Sequence, residues 1–338
     1  MSESNTPADD ALSQQTIMDI VSAYQKSRIL LTAYELDVFT LLGDDSKTPD
    51  EVAKKAGTDI RAMDRLMNAL CAIGLLEKKE GRFSNTPLTS RFLVKGKATF
   101  MANLMHSSNQ WKSWSTLTEA VRCGTSVAKS RIEEREGQWF GAFISAMHWR
   151  GSQQASELVS NLDLTGVSQV LDVGGGSGVY AMAIAKARED IEAVVLDLPD
   201  VIPLTKYHIC REGLTHKVRA IVGDYEKDDL GSGFDLVLLS AVVHINSPAA
   251  NNTLFRKCFQ ALNPNGQIVI SDFIMDESRT HPARGALFAL NMLVATAAGD
   301  TYTEGEMRSW LEEVGFCEIS RRDLSSGASL IIGRKRPA

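Results

Sequence analysis

The chain has 338 residues, 44% of them hydrophobic and 23% charged, with 36 Lys and Arg against 42 Asp and Glu for a net charge of −6. The length exceeds one comfortable core and predicts two domains, while the acidic balance disfavours generic binding to nucleic acid or to an anionic membrane. No apolar run approaches the roughly 20 residues of a membrane span, and the five scattered cysteines lack metal-ligand spacing and read as reduced thiols, so neither a membrane anchor nor a metal site is expected.

In chain order, the polar stretch Met1–Ser13 lacks a signal-peptide core, which makes the cytoplasm the expected location. From about residue 14 to 105 the pattern is helical. Ile17, Ile20, Val21 and Tyr24 recur at helical spacing, and a second helix is expected over Ile29–Leu42. Thr48-Pro-Asp-Glu51 combines a capping box with proline at the first helical position, and another amphipathic helix is expected over Thr58–Ile73. Leu75–Ser84 then reads as two short strands around a Glu-Gly turn. Helix, turn, helix and hairpin make a winged helix. Such units can read DNA, but the reading helix here carries Asp59 and Asp64 beside Arg61 and Arg65, so its charges cancel and packing or dimerisation is the better use. The Ile17–Tyr24 stripe is too apolar to face water, which predicts a homodimer built mainly by residues 14–105.

Residues 106–160 form a helical bridge without a Pro/Gly-rich linker. Trp111, Trp114 and Leu117 share a helical face, and Trp139, Phe140, Phe143 and Met147 bring an aromatic and thioether cluster to the segment before the next domain. Stripes of this kind usually serve a core, and the position of Phe143 and Met147 also suits them to lining a pocket. Over residues 161–338, strands are expected near 169–173, 193–197, 218–222, 235–239, 267–272, 316–321 and 328–334. Helical crossovers between most of them predict an α/β fold, a Rossmann-like doubly wound sheet of seven strands with ligands at the strands' carboxyl ends. Gly285–Ala298 is apolar nearly all round and is expected as a buried helix, and Thr303-Glu-Gly-Glu306 caps a helix running to about Val314.

The most informative stretch is Val170–Gly178, an apolar run ending in Asp172 and followed by Gly174, Gly176 and Gly178. Glycine there tolerates positive φ and lets the backbone close on a bound cofactor. Dinucleotide sites use G-x-G-x-x-G, whereas this loop reads G-x-G-x-G, with Val179 where the last glycine of that fingerprint would fall. The departure disfavours a nicotinamide-dependent oxidoreductase and favours a cofactor with no pyrophosphate. Asp197 follows a second apolar run at the separation that sets an acid beneath ribose hydroxyls, and Gly223-Asp224 ends a third where a carboxylate can meet adenine. Together these segments predict S-adenosylmethionine. Methyl transfer from a sulfonium chiefly needs alignment of the acceptor and removal of its proton. Asp235–Ser240 delivers the chain to the cofactor edge, and His244 follows at once as a candidate base. A phenol, which titrates near 10 as tyrosine does, benefits from imidazole assistance. By position alone an isolated histidine after a strand is more often structural, and His106, His148, His208, His216 and His281 read the same way, although His148 beside Trp149 can approach the pocket.

The order Leu171-Asp-Val-Gly-Gly-Gly-Ser-Gly178, Leu196-Asp-Leu-Pro199, Gly223-Asp224, His244 and Gly315-Phe316, behind a winged-helix dimerisation domain, resembles the class I small-molecule O-methyltransferases. That family is typified by caffeate and acetylserotonin O-methyltransferases and by bacterial polyketide-tailoring relatives, and the resemblance covers nearly the whole chain. It implies a cofactor site of Asp172, Gly174, Gly176, Asp197, Leu198, Gly223, Asp224, Tyr225 and Ser240, in which Asp197 binds the ribose hydroxyls and Asp224 and Tyr225 approach the adenine. It implies His244 as base with Asp272 flanking it, and an acceptor site that includes Phe143, Met147, Asn291 and Met292. The implied acceptor is a small aromatic molecule with a phenolic, quinol or polyketide-like hydroxyl. Two departures stand out: Ile245-Asn246 follows the histidine where many relatives have Asp-Trp, and the family's second acid is replaced around Asp300 and Thr301. The same pattern admits C- or N-methylation, or a winged-helix regulator with a vestigial cofactor site.

Overall fold

The computed structural model describes residues 13–128 and 138–337, so nearly all of the polar opening stretch lies outside the described residues. The chain divides into two compact units, Met1–Ser108 and Asn109–Ala338.

The first unit holds α1 (Gln14–Ser22), α2 (Tyr24–Glu35), α3 (Val38–Leu42), α4 (Pro49–Ala56) and α5 (Ile60–Ala72), the hairpin β1 (Leu76–Lys79) and β2 (Arg82–Asn85), and α6 (Pro87–Phe92). Phe39, Leu42, Met63, Met67, Leu70 and Phe83 form its core. Local chemistry sets the helix starts: Thr48 and Glu51 close a reciprocal capping box ahead of Pro49, and Asp59 accepts the Ala62 N–H at 2.8 Å to cap α5. The single helix expected over Ile29–Leu42 is two helices, broken at Asp37, which adopts φ 57°. The apolar period continued across the break because both pieces feed one core, and aspartate is one of the few residue types that visits this left-handed region readily. On α1, Ile17, Ile20 and Val21 are 63%, 72% and 59% exposed, so a single chain leaves the stripe uncovered.

Helix α7 (Leu104–Trp114) spans the division between the units, and α8 (Leu117–Cys123) and α9 (Gln138–Ser160) follow. The side chains of Trp139 and Phe140 lie outside the described residues. Then strand and helix alternate through β3 (Gln169–Val173), α10 (Val179–Ala187), β4 (Glu192–Asp197), α11 (Ile202–Arg211), β5 (Val218–Val222), β6 (Phe234–Ser240), α12 (Pro248–Ala261) and β7 (Leu262–Asp272). After them come β8 (Ile274–Met275), α13 (Ala283–Ala295), β9 (Tyr302–Thr303), α14 (Glu304–Val314), β10 (Phe316–Asp323) and β11 (Ser329–Lys335).

Seven strands form one sheet in the order β10-β11-β7-β6-β3-β4-β5, with β10 and β11 antiparallel and the other pairings parallel apart from β11 on β7. From β3 the chain winds outward to β4 and β5, then returns to the other side of β3 with β6 and β7. That reversal opens a crevice beyond the carboxyl ends of β3 and β6, the place where such sheets bind ligands. Both faces are covered, as the near-continuous apolar strands require. Leu171, Val173, Val237 and Leu239 serve one core, and Val170, Val195, Leu236 and Leu238 the other.

The buried helix expected over Gly285–Ala298 is α13 (Ala283–Ala295), most of which is covered. Met292, Val294 and Ala295 are buried, while Leu287 is 63% exposed. Its inner face packs against β8 so closely that a Cβ on Gly285 would lie 2.4 Å from the Met275 sulfur. The short parallel pair β8 and β9 left no mark in the sequence pattern, being two residues long on each side.

Candidate active site

Three chain segments reach the crevice from the sheet. The first is the turn after β3, where Gly174 and Gly176 take φ 64° and 58° and a Cβ on Gly174 would meet the Val242 side chain at 3.0 Å. Gly175 carries α10 over the strand end so tightly that a Cβ there would lie 2.6 Å from the Asp172 carboxyl. Side chains alternate along β3, so Asp172 shares the face of Val170 and is buried beneath the turn with no exposed surface. Among the described residues neither of its carboxyl oxygens has a hydrogen-bond partner. Burial, followed by the neighbouring Asp197 charge, pushes its carboxyl up to about 7.

The second segment is the end of β4. Asp197 accepts the Gly176 N–H at 2.7 Å with one oxygen and the Leu198 N–H at 2.7 Å with the other. Burial raises its carboxyl above the ordinary value while those two bonds act against the rise. Each oxygen keeps a lone pair, so the acid is oriented but still able to accept from two further donors. Gly223, after β5, donates its N–H to the Asp197 carbonyl at 3.0 Å, and a Cβ there would press on Leu196 at 3.0 Å. The Asp224 carboxylate is engaged by the Glu226 N–H at 3.0 Å and the Lys227 ammonium at 2.8 Å. The Tyr225 ring edges within 3.8 Å of a Gly174 Cβ position, its hydroxyl donates to Asn246 at 3.1 Å, and burial raises its pKa.

The third segment is the end of β6. Ser240 pairs with Ser271 of β7, and the chain then turns through Ala241 at φ 58°, a costly conformation for a residue with a Cβ. That turn delivers His244 on a single 3-10 turn, Val243–Ile245, directly over the end of β7. The imidazole Nδ1 lies 2.8 Å and 2.9 Å from the two Asp272 oxygens, and the His244 backbone N–H donates to the same carboxylate at 3.2 Å. An ionised carboxylate only accepts, so the ring donates from Nδ1 and presents a lone pair at Nε2, which has no hydrogen-bond partner among the described residues. Asp272 is in turn held by the Phe273 N–H at 2.8 Å, and the Phe288 ring meets the imidazole edge-on at 4.8 Å. Neither Asp300 nor Thr301 turns its side chain to this pair: Asp300 faces Arg279, and the Thr301 hydroxyl donates to the Gly285 carbonyl.

Helix α9 lies over the glycine turn. Ile144 comes within 3.4 Å of a Gly176 Cβ position, and Phe143 packs with Ile144, Val201 and Leu204. His148 contacts the Ser177 hydroxyl at 3.0 Å and stacks on His208 at 3.8 Å. Burial lowers the pKa of both rings, His208 to about 4, so the pair rests neutral. Met147, half-buried, is one residue before His148 on the same helix. On α13, the Asn291 side-chain oxygen accepts from the Trp114 indole N–H at 2.9 Å and from Gln110 at 3.2 Å, and Met292 is buried.

Residues 114–317 match the O-methyltransferase domain family, and residues 18–95 match the O-methyltransferase dimerisation domain. The chain belongs to the O-methyltransferase family. It is 29% identical to the 3-hydroxy-5-methyl-1-naphthoate 3-O-methyltransferase of Streptomyces sahachiroi, covering 94% of this chain and 93% of that one. It is 30% identical to the tetracenomycin polyketide synthesis 8-O-methyl transferase TcmO of Streptomyces glaucescens, over 98% and 99% of the two chains. Human N-acetylserotonin methyltransferase in complex with S-adenosylmethionine has the same fold at a TM-score of 0.82, with 24% identity over 99% of this chain and 100% of that one.

This O-methyltransferase uses S-adenosylmethionine, and its crevice fits that group: Gly174 and Gly176 at positive φ present bare backbone at the turn, and Asp197 stands oriented beside it with spare lone pairs. Among the described residues no helix is long and apolar enough to cross a membrane, and no cluster of three metal-binding side chains occurs. Sequence reasoning passed over several residues of the site. Phe288 carries no sequence mark beyond its place in an apolar helix. Gly299 fits so closely behind the His244 turn that a Cβ would lie 2.4 Å from the His244 carbonyl oxygen and 2.9 Å from that of Ile245. Arg150, one turn beyond Met147, is half-buried with its guanidinium over the Phe273 ring at 5.3 Å. Burial, with the Arg284 charge nearby, lowers its pKa.

Proposed function

We propose that this O-methyltransferase transfers the methyl group of S-adenosylmethionine to a phenolic or polyketide-like hydroxyl of a small aromatic molecule, with His244 as general base. The observation that carries this reading is the His244–Asp272 pair: Nδ1 is committed to a buried carboxylate, and Nε2 is left with a lone pair at the carboxyl edge of the sheet, beside the glycine turn. One Streptomyces relative is named for 3-O-methylation of a hydroxynaphthoate and the other for 8-O-methylation in tetracenomycin polyketide synthesis, which supports an acceptor of that kind.

When bound, S-adenosylmethionine supplies a methyl group on a sulfonium that already leaves readily. The chain's part is to hold, align and deprotonate. Gly174 and Gly176 bring backbone close to the methionine and ribose portion, with Asp172 packed beneath the turn against Gly175 rather than at its open face. Asp197, assisted by the Leu198 and Gly176 N–H groups, accepts from the ribose hydroxyls, while Gly223, Asp224, Tyr225 and Ser240 form the walls around the adenine and sugar. Phe143, Met147, Asn291 and Met292 surround the acceptor ring. His244 takes the acceptor proton at Nε2, and Asp272 fixes the tautomer and faces the positive charge the ring then carries.

Dimerisation belongs to the same reading. Residues 14–105 form the dimerisation domain, residues 106–160 the bridge over the acceptor, and residues 161–338 the methyl-transferring domain, with the uncovered stripe on α1 meeting its equivalent on a second copy. The direct test is to offer purified protein methyl-labelled S-adenosylmethionine with a panel of phenols and hydroxylated polyaromatics and to locate the label in each product. Label on oxygen supports the reading; label on nitrogen or carbon alone, or none with any acceptor while the cofactor binds, contradicts it.

A further inference from the structure

Arg150 stands out among the half-buried charges of the second unit. On α9 it follows Phe143 and Met147 at positions i+7 and i+3, the spacing of a single helical face, so a cation sits in line with the two side chains assigned to the acceptor. Its guanidinium lies 5.3 Å from the centroid of Phe273, and that of Arg284, from α13, lies 5.6 Å from the same ring. Phe273 packs on Phe288 at 4.8 Å, and Phe288 meets His244 at 4.8 Å, so the arginines stand a short stack of aromatic rings away from the base.

Their charges are not balanced from within. Arg284 gives one bond to the Ser326 carbonyl at 3.2 Å. Arg150 has no hydrogen bond and no ion pair among the described residues. Asp272, the carboxylate whose charge acts on Arg150, already accepts from His244 twice and from Phe273. A guanidinium offers five N–H donors in a rigid fork shaped for a carboxylate, and no acceptor among the described residues takes those of Arg150. Stacking on Phe273 holds the fork in place but satisfies none of its donors.

We propose that Arg150, with Arg284 beside it, reads a carboxylate on the acceptor, so that the substrate is an aromatic hydroxy acid rather than a neutral phenol. The inference rests on the acceptor assignment above and narrows it. The methionine end of the cofactor also carries a carboxylate, and the experiment separates the two sources.

Wild type, Arg150→Met and Arg150→Lys are compared on three probes: a hydroxynaphthoic acid, its methyl ester, and the naphthol without the acid group. Wild type is expected to favour the acid over the ester by about 10- to 100-fold in kcat/KM, chiefly through KM, the range for a hydrogen bond to a charged group. Arg150→Met is expected to bring the acid down to the efficiency of the ester, and Arg150→Lys to restore part of the preference. Calorimetry with S-adenosylhomocysteine is expected to give the same Kd for all three proteins, and thermal unfolding of Arg150→Met without ligand is expected at the wild-type temperature or above it. An unchanged acid preference in Arg150→Met, or weaker S-adenosylhomocysteine binding in its place, overturns the proposal. So does a lower unfolding temperature with equal losses on all three probes. If none of the probes is methylated, calorimetry of acid against ester on the S-adenosylhomocysteine complex still decides the role of Arg150, while the methylation reading stands or falls separately.

Discussion

Asp197 and Gly176 are joined by a 2.7 Å hydrogen bond from the glycine N–H to the carboxylate, so the acid at the end of one strand and the turn at the end of its neighbour form a single unit. Replacing Asp197 by Ala removes both the acceptor for ribose hydroxyls and the brace on the turn. Binding of S-adenosylhomocysteine, measured by calorimetry, is expected to weaken by about 1.5–3 kcal/mol, the range for hydrogen bonds to a charged group. Affinity within experimental scatter of wild type would remove Asp197 from the cofactor site.

Asp172 makes stability depend on pH in a particular direction. Burial and the Asp197 charge hold its carboxyl at about 7 in the folded chain, against about 3.9 for an unperturbed aspartate. Between those values the folded state binds more protons than the unfolded state, so this residue's contribution to stability is greatest below the unfolded value and is lost as the pH rises toward 7. Asp172→Asn is expected to flatten that part of the profile. Urea midpoints measured across the window for both proteins check it, and parallel profiles would show that Asp172 does not titrate there.

Gly299→Ala places a methyl group 2.4 Å from the His244 carbonyl oxygen and 2.7 Å from the Thr296 hydroxyl. Backbone cannot yield as a flexible side-chain tip can, so the turn carrying His244 must shift. A loss of about 1–3 kcal/mol in stability from overpacking is expected, with a fall in kcat of up to about 10²-fold if the ring moves by roughly an ångström. S-adenosylhomocysteine affinity is the control, since the glycine turn lies on other strands.

The exposed face of α1 gives the assembly test. Ile17→Lys combined with Ile20→Lys sets two charges into a patch that a second copy would bury. Light scattering at micromolar concentration is expected to show wild type at twice the chain mass and the double variant at the single mass. A monomeric wild type contradicts the dimer.

The sheet was legible because β3, β4 and β6 are short apolar runs between turn residues, and because the glycine turn, Asp197 and His244 each follow such a run. Period two along β3 turns Asp172 inward with Val170, a placement that the motif, which sets Asp172 among the cofactor residues, does not show. The sequence could not show what depends on contacts between distant segments. Ala241 at positive φ carries no compositional sign, and neither does the fit of Gly299 behind a turn more than fifty residues earlier in the chain. Apolar periodicity also ran through Asp37, since it records which residues are buried and not where the backbone bends. The exposure of Leu287 on α13 was hidden for a related reason, because hydrophobicity marks a helix that can be buried without saying which positions the chain itself covers.

The most direct test of the central claim is the rate of methyl transfer by His244→Ala, with a phenolic acceptor at neutral pH and saturating S-adenosylmethionine, alongside the Kd of S-adenosylhomocysteine. Loss of the base is expected to lower turnover by roughly 10²–10⁴-fold, the usual share of general acid–base catalysis, with cofactor affinity intact. Asp272→Asn is expected to give a smaller loss of the same kind, because the ring stays in place but loses the carboxylate at Nδ1. Turnover by His244→Ala close to the wild-type rate would contradict the account and leave alignment alone as the source of catalysis.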